Sequence, residues 1–482
     1  MSHLLGIDIG TTATKAVLLD PDRGPVAEAE RPVSLHSPHP GWAEEDTEEW
    51  WGNVRELTRE VAEGREVAGL GFSGMVPCVI VLDEDGRVLR RSIQQNDARA
   101  GEEIPELRER LADALVLERT GSPITQQSVG PTLMWLAKHE PAVWSRVRTV
   151  LGSYDLMAFR LTGERGIESN WALESGLYDL HTGTLAADIV DAAGAEPSLL
   201  PPIRRPDEIV GRVTQEAAAA TGLRPGTPVV AGSADHVASA FAAGIVEEGD
   251  LLVKLGGAGD ILLATEEPLI DPRLYLDFHL IPDRYLPNGC MAASGSLIRW
   301  FQAHVAGGAS LVELDREAEA AGPGAGGIVA LPYFLGEKTP VNDPGARGAF
   351  IGLHLGHERG HLFRAVLEAI AFGFRHHVDV FAERGHPPRR VRVTNGGARS
   401  AVWPQVTADV LGVPLERLAV VGGSAVGAAF AAGMGVGTFS GWKEIERFVE
   451  IRDVVEPGQH EAYEESYRRY RALYPALKEV AT

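Results

Sequence analysis

The chain has 482 residues, 44% hydrophobic and 23% charged, which suits a globular protein but is too long for one hydrophobic core. Its formal charge of −22, from 45 basic and 67 acidic residues, argues against a nucleic-acid or anionic-membrane partner. Two cysteines, Cys78 and Cys290, make no disulfide framework and no zinc-ligand spacing.

In chain order, residues 4–9 and 13–20 are apolar runs around Gly10-Thr11-Thr12 and predict a β-hairpin. Asp8 interrupts the opening run, which argues against a secretion signal, and no apolar run is long enough to span a bilayer. A cytoplasmic protein without a membrane partner is expected. Asp46-Thr47-Glu48-Glu49 predicts a capped helix start, with Trp50, Val54, Leu57 and Val61 at helical spacing behind it. Residues 67–72 and 79–83 predict strands. The turn Pro225-Gly226-Thr227-Pro228 leads into a strand, and Asp235 stands where that strand passes into a helix. Residues 247–250 are polar and mark a lobe boundary.

The second half repeats the grammar of the first. Residues 251–255 predict a strand, Gly256-Gly257-Ala258-Gly259 a turn, and residues 261–264 a strand. A long helix is predicted from about residue 358 to 382, then a strand over 391–394 into Asn395-Gly396-Gly397. Gly422-Gly423-Ser424-Ala425 opens a small-residue helix. Strands alternating with helices predict an α/β architecture.

A glycine turn after a strand exposes bare N–H groups to an anion, so the turns near residues 10 and 396 read as two halves of a phosphate clamp. Asp8, a charge in an apolar strand beside Gly10, Thr11, Thr12 and Lys15, reads as a ligand for Mg²⁺, direct or through water, or else as a turn cap. Asp235 reads as a general base for a substrate hydroxyl, or else as a helix N-cap. Together these parts suit phosphoryl transfer, which needs phosphate donors, Mg²⁺ and a carboxylate rather than covalent chemistry. Neither a P-loop nor the protein-kinase motif set is present. His357 and His361 have metal-pair spacing but read as capping or surface residues, and Trp50, Trp51 and Trp135 as core aromatics.

These segments resemble the FGGY carbohydrate kinases, nearest to the xylulokinase branch, over nearly the full length. The resemblance rests on residues 6–12, Gln95-Asn96-Asp97-Ala98-Arg99, residues 135–141, Ala231-Gly232-Ser233-Ala234-Asp235-His236, Gly348-Ala349-Phe350-Ile351-Gly352-Leu353 with residues 361–368, and Gly396-Gly397-Ala398-Arg399-Ser400. It implies an actin/hexokinase-like fold of two ribonuclease-H-like lobes around a cleft. An N-terminal lobe over 1–246 would bind sugar and phosphate, a C-terminal lobe over 247–440 would bind adenosine, and 441–482 would be a helical extension. The implied activity is transfer of the γ-phosphate of Mg-ATP to a hydroxyl of a sugar or polyol, a xylulose-like ketose first. The alternative is a non-catalytic ATP- or sugar-binding sensor. Asp235 would be the catalytic base and Asp8 would organise Mg²⁺. Gly10, Thr11, Thr12, Lys15, Gly256, Gly257, Gly396, Gly397, Ala398 and Ala401 would bind ATP. Met75, Asp97, Asp235 and His236 would form the sugar wall. The expected partner is a small-molecule sugar or polyol, with a homodimer as the assembly the resemblance allows.

Three departures stand out. Where a xylulokinase has Gly-Gln-Met-His-Gly, this chain has Gly74-Met75-Val76-Pro77-Cys78, so a pentulose hydroxyl would meet different donors. The family's Leu-Gly-Thr-Ser loop is Leu255-Gly256-Gly257-Ala258, without hydroxyls and followed by Asp260. His236 follows the base where a xylulokinase has Asn.

Overall fold

The computed structural model describes residues 2–111, 113–420 and 423–481; Gly422, expected to open the small-residue helix, lies outside them. The chain opens with β1 (His3–Ile9), β2 (Ala13–Asp20), β3 (Gly24–Pro32), α1 (Thr47–Val61) and β4 (Val67–Gly74). After a long excursion of short helices and ribbons it resumes with β5 (Ile209–Arg212), β6 (Pro228–Val230), β7 (Ser233–Ala234) and α2 (Asp235–Ala242). The second half holds β8 (Asp250–Leu255), β9 (Gly259–Leu263), β10 (Tyr275–Phe278), β11 (Tyr285–Met291), α3 (Arg359–Glu383), β12 (Arg390–Thr394), β13 (Leu415–Val420), α4 (Gly423–Gly435), β14 (Glu450–Val455) and α5 (Glu464–Ala481).

Two seven-stranded sheets result, with one plan. The first runs β5-β6-β4-β1-β2-β3, with β7 also paired to β4; the second runs β10-β11-β9-β8-β12-β13-β14. In each, an antiparallel hairpin (β1/β2, β8/β9) sits centrally. A third strand extends it antiparallel (β3, β11), and two parallel strands flank the other side (β4 and β6, β12 and β13). An antiparallel edge strand closes the series (β5, β14). The central strands are almost wholly apolar, as strands covered on both faces must be. Residues 441–482 are not purely helical: Glu450–Val455 pairs as β14 with β13 before α5 begins.

Helix α4 crosses back from the second half to pack on β1 and β4 of the first sheet. Glycine makes this possible. A Cβ on Gly6 would stand 1.8 Å from the Ala425 carbonyl oxygen, and one on Gly71 2.6 Å from that of Ala428. Ala425, Ala429 and Phe430 therefore join the core of Leu5, Ile7, Leu70 and Phe72. The second core gathers β8 and β9 with Phe363, Ile370 and Phe374 of α3, and Tyr467 and Tyr470 of α5. α1 begins as its sequence requires: Glu48 N–H donates to Asp46 Oδ1 at 2.9 Å. His361 Nδ1 accepts from Glu358 N–H at 3.1 Å at the start of α3, a cap rather than a metal ligand. Trp50 and Trp135 are buried, while Trp51 is half-buried.

Candidate active site

A cavity of about 520 Å³ opens between the two sheets, lined by residues of both halves. Asp235 reaches it because of the backbone before it. Gly232 has φ +90°, and a Cβ there would stand 1.9 Å from the Phe72 carbonyl oxygen, so the chain turns tightly against β4. β7 then pairs Ser233 with Ser73 and Ala234 with Gly74, and α2 starts at Asp235. Asp235 is the first helical residue and not the cap, since Ala234 holds the N-cap position. Its carboxyl is 38% exposed, into the cavity.

Asp8 lies deeper, beside it. Ser73 Oγ donates to Asp8 Oδ1 at 2.8 Å, matching the β1/β4 register. Burial, then repulsion from Asp235, pushes the Asp8 carboxyl up to about 6, against hydrogen bonds from Ser73 and Ser424 and the charge of Lys15. Thus the carboxyls from residues 8 and 235 feel one another across the cleft, and the start of α4 meets them there. Lys15 lines the cavity, 56% exposed and 3.7 Å from Glu30. Gly10, Thr11 and Thr12 form the tight turn, closed by Gly10 N–H to the Ala13 carbonyl at 3.2 Å, with both threonines exposed.

His236 lines the cavity too. Its Nδ1 is 3.4 Å from Asp235 Oδ1, and its Nε2 is 2.7 Å from Asp277 Oδ2 and 3.7 Å from Glu174 Oε1. Burial opposes a charged ring, but Asp277, Glu174 and Asp235 outweigh it and hold the imidazole well above its usual range. Burial would likewise raise Asp235, yet the hydrogen bond and charge of His236, followed by Lys254, hold its carboxyl below the usual value.

Two expected sugar-wall residues do not line the cavity. Met75 is 1% exposed in the first core, and the wall position passes to Val76. Asp97 is buried in an ion network: it accepts from Arg99 and from Ala43 N–H, with Arg99 stacked over Trp42, and Gln95 faces the cavity instead. Gly256 and Gly257 sit at the β8/β9 turn, outside the lining. Their carbonyls accept from Gly295, Ser294 and Ser296, which ties the turn to a following helix. Gly396, Gly397 and Ala398 follow the lining residues Thr394 and Asn395, and Ala398 is buried in the second core. Ala401 N–H donates to Asp315 Oδ2 at 3.3 Å, beside Ser400 Oγ at 2.8 Å.

Residues the sequence reading passed over complete the cavity. Lys254, Lys338, Asn288 and Asp277 come from the second half; Glu174, Gln127, Ser122 and Thr125 come from the excursion. Lys254 Nζ donates to Ser239 Oγ at 2.7 Å. Its signal was available, a charge inside an apolar strand just before a glycine turn, as at Asp8. Glu174 and Asp277 carry no such mark.

The donor set fits a polyphosphate. Lys15, Lys254, Lys338 and the N-terminus of α4 at Gly423 and Ser424 all line the cavity. Hydroxyl- and amide-bearing side chains of Ser122, Thr125, Gln127 and Asn288, with the acids Glu174 and Asp277, suit a polyhydroxylated ligand. Among the described residues, no helix is long and apolar enough to cross a membrane.

Comparison with known proteins agrees. The family model "FGGY family of carbohydrate kinases, N-terminal domain" matches residues 3–242, and its C-terminal counterpart matches residues 253–436. The chain is 30% identical to the xylulose kinase of Bacillus subtilis over 490 residues, covering 100% of this chain and 97% of that protein. It is 31% identical to an L-xylulose/3-keto-L-gulonate kinase of Escherichia coli, covering 99% and 97%. The crystal structure of xylulose kinase from Rhodospirillum rubrum superposes with a TM-score of 0.95 at 48% identity, covering 99% of each chain. The fold is the two-lobed actin/hexokinase-like one. The chain belongs to the FGGY family of carbohydrate kinases, and it is an ATP-dependent phosphotransferase that acts on an alcohol.

Proposed function

We propose that this kinase phosphorylates a neutral ketopentose of the xylulose class, with Asp235 as general base. The observation that carries the reading is Asp235 in one cavity with three lysines and a set of hydroxyl-reading side chains. The names of the relatives point to the same substrate class. Asp235 would accept the proton of the acceptor hydroxyl as that oxygen bonds to phosphorus. Gly10, Thr11, Thr12 and Lys15 would cradle the transferred phosphoryl from the first hairpin. Lys254, and Gly256 and Gly257 through their N–H groups, would meet it from the second, with Lys338 at the same wall. Gly396, Gly397, Ala398 and Ala401 would flank the adenosine. Asp8 would act on Mg²⁺ through its water shell, the metal neutralising phosphate charge when bound. The lobes would divide at residues 246 and 247, with α4 returning to the first.

The names of the relatives put a neutral ketopentose ahead of a sugar acid. An ADP-release assay over D-xylulose, L-xylulose, xylitol, gluconate and 3-keto-L-gulonate tests this. A ketopentose should exceed both acids at least about tenfold in kcat/KM, the scale of one misplaced charge. Preference for a sugar acid would overturn the substrate assignment, and no ADP release with any acceptor would favour a binding protein.

A further inference from the structure

His236 is the bridge between four elements. Asp235 faces its Nδ1 from the same helix, α2. Glu174 reaches its Nε2 from the end of the short helix Ser169–Glu174, and Asp277 from β10 at the edge of the second sheet. Asn288 of β11 donates to the same Asp277 oxygen, Oδ2. Asp277 is only 1% exposed, and its Oδ1 and Glu174 Oε1 find no donor beyond one another, the two acids lying within hydrogen-bonding reach. A buried carboxylate left in this way is costly unless a cation stands beside it. Among the described residues, the ionisable base in contact with both acids is His236. Lys254, the other cation acting on Asp235, is tied to Ser239 Oγ. Asp8 faces Asp235 from β1 with like charge.

We propose that Asp277 and Glu174 are positioning residues: they hold His236 as the cation that keeps the Asp235 carboxylate charged and aimed into the cleft. The proposal rests on Asp235 being the base. The two acids contact the ring. They act through the ring, whose Nδ1–H faces one Asp235 oxygen while the cavity side of the carboxyl stays open to a hydroxyl proton. Were the ring neutral, burial would favour a protonated, inactive Asp235. Burial, then the charge of Asp277, pushes Glu174 well above its usual range, so it offers the ring less charge than Asp277 does. Asp277 is therefore the stronger lever.

The test is a pH profile on the full-length enzyme. In Asp277→Asn, a neutral His236 raises the Asp235 pKa, so the acid limb of kcat/KM should move upward by about one pH unit. On the acid side of both limbs, activity should then lie up to about tenfold further below wild type than it does at pH 8. Glu174→Gln should shift the limb the same way by less, and His236→Gln as much as Asp277→Asn. A loss equal at every pH in Asp277→Asn and His236→Gln would reduce these residues to a structural role and overturn the proposal. ¹⁵N-histidine NMR reads the ring charge directly, with the signal assigned by its absence in His236→Gln. Both nitrogens should carry protons at pH 8 in the wild type, and a neutral ring there would also overturn it. Turnover surviving in Asp235→Asn would instead sink the base assignment, and the NMR result distinguishes the two failures.

Discussion

In the first hairpin, Asp8 precedes the Gly10 turn in β1 and pairs with Lys15 across the ladder, with Ser73 of β4 on its other side. In the second, Lys254 holds the matching place before Gly256 in β8, pairs with Asp260, and has Thr394 of β12 beside it. The strand order, register and flanking hydroxyl agree, but the charges are exchanged. A repeated scaffold has fixed where side chains point and left their sign free. One inner strand presents an acid suited to a hydrated cation, the other a cation suited to phosphate.

The sharpest way to break this comparison is Lys254→Met. Losing the buried-side cation should lower kcat by about 10²–10³-fold, the scale for removing one preorganised group facing developing charge. A change below threefold would mean the two hairpins are not functional counterparts. Asp8→Asn comes next. The concentration of Mg²⁺ needed for half-maximal rate should rise about 10–100-fold, as for loss of an outer-shell partner; an unchanged Mg²⁺ titration would remove Asp8 from that role. Lys15→Met should matter less, about threefold to tenfold in KM for ATP, because its ammonium is 56% exposed and shared with Glu30. An effect as large as that of Lys254→Met would erase the asymmetry between the lobes.

The smallest effect is on stability. Burial pushes Glu337 of the second lobe up to about 8, despite hydrogen bonds from Ala292 and Lys338 N–H groups. Its folded pKa lies above the unfolded value of 4.5, so the native state keeps a proton that the unfolded chain has lost between those values. Stability should therefore decline as pH rises through that window and level off above it. Glu337→Gln should flatten the decline, worth about 2–4 °C in Tm. An equal slope in the variant, measured by differential scanning calorimetry, would assign the trend to other groups.

The hairpin at residues 10–12, the repeat at residues 251–264 and the strand-to-helix position of Asp235 were legible because charge or glycine interrupts an apolar run there. The same cue marks Lys254, where the reading followed the strand and passed over the charge. Asp277 and Glu174 were illegible for a physical reason: each sits in ordinary polar sequence, and only the juxtaposition of β10 with the residues before Gly176 makes them neighbours of His236. The packing of α4 on the first sheet was equally hidden. A helix of Gly and Ala on every side has no apolar stripe to name its partner, and the matching clue is distributed over Gly6 and Gly71 in distant strands. Met75 and Asp97 were misplaced by one or two residues, because alternation along an irregular loop does not tell which side chain faces a cleft.

The central claim, that the carboxylate of residue 235 takes the acceptor proton, is tested most directly by single-turnover phosphoryl transfer in Asp235→Asn, with saturating Mg-ATP and ketopentose. The rate should drop about 10²–10⁴-fold while the Kd values for both ligands stay within about threefold of wild type. Transfer within tenfold of the wild-type rate would contradict it.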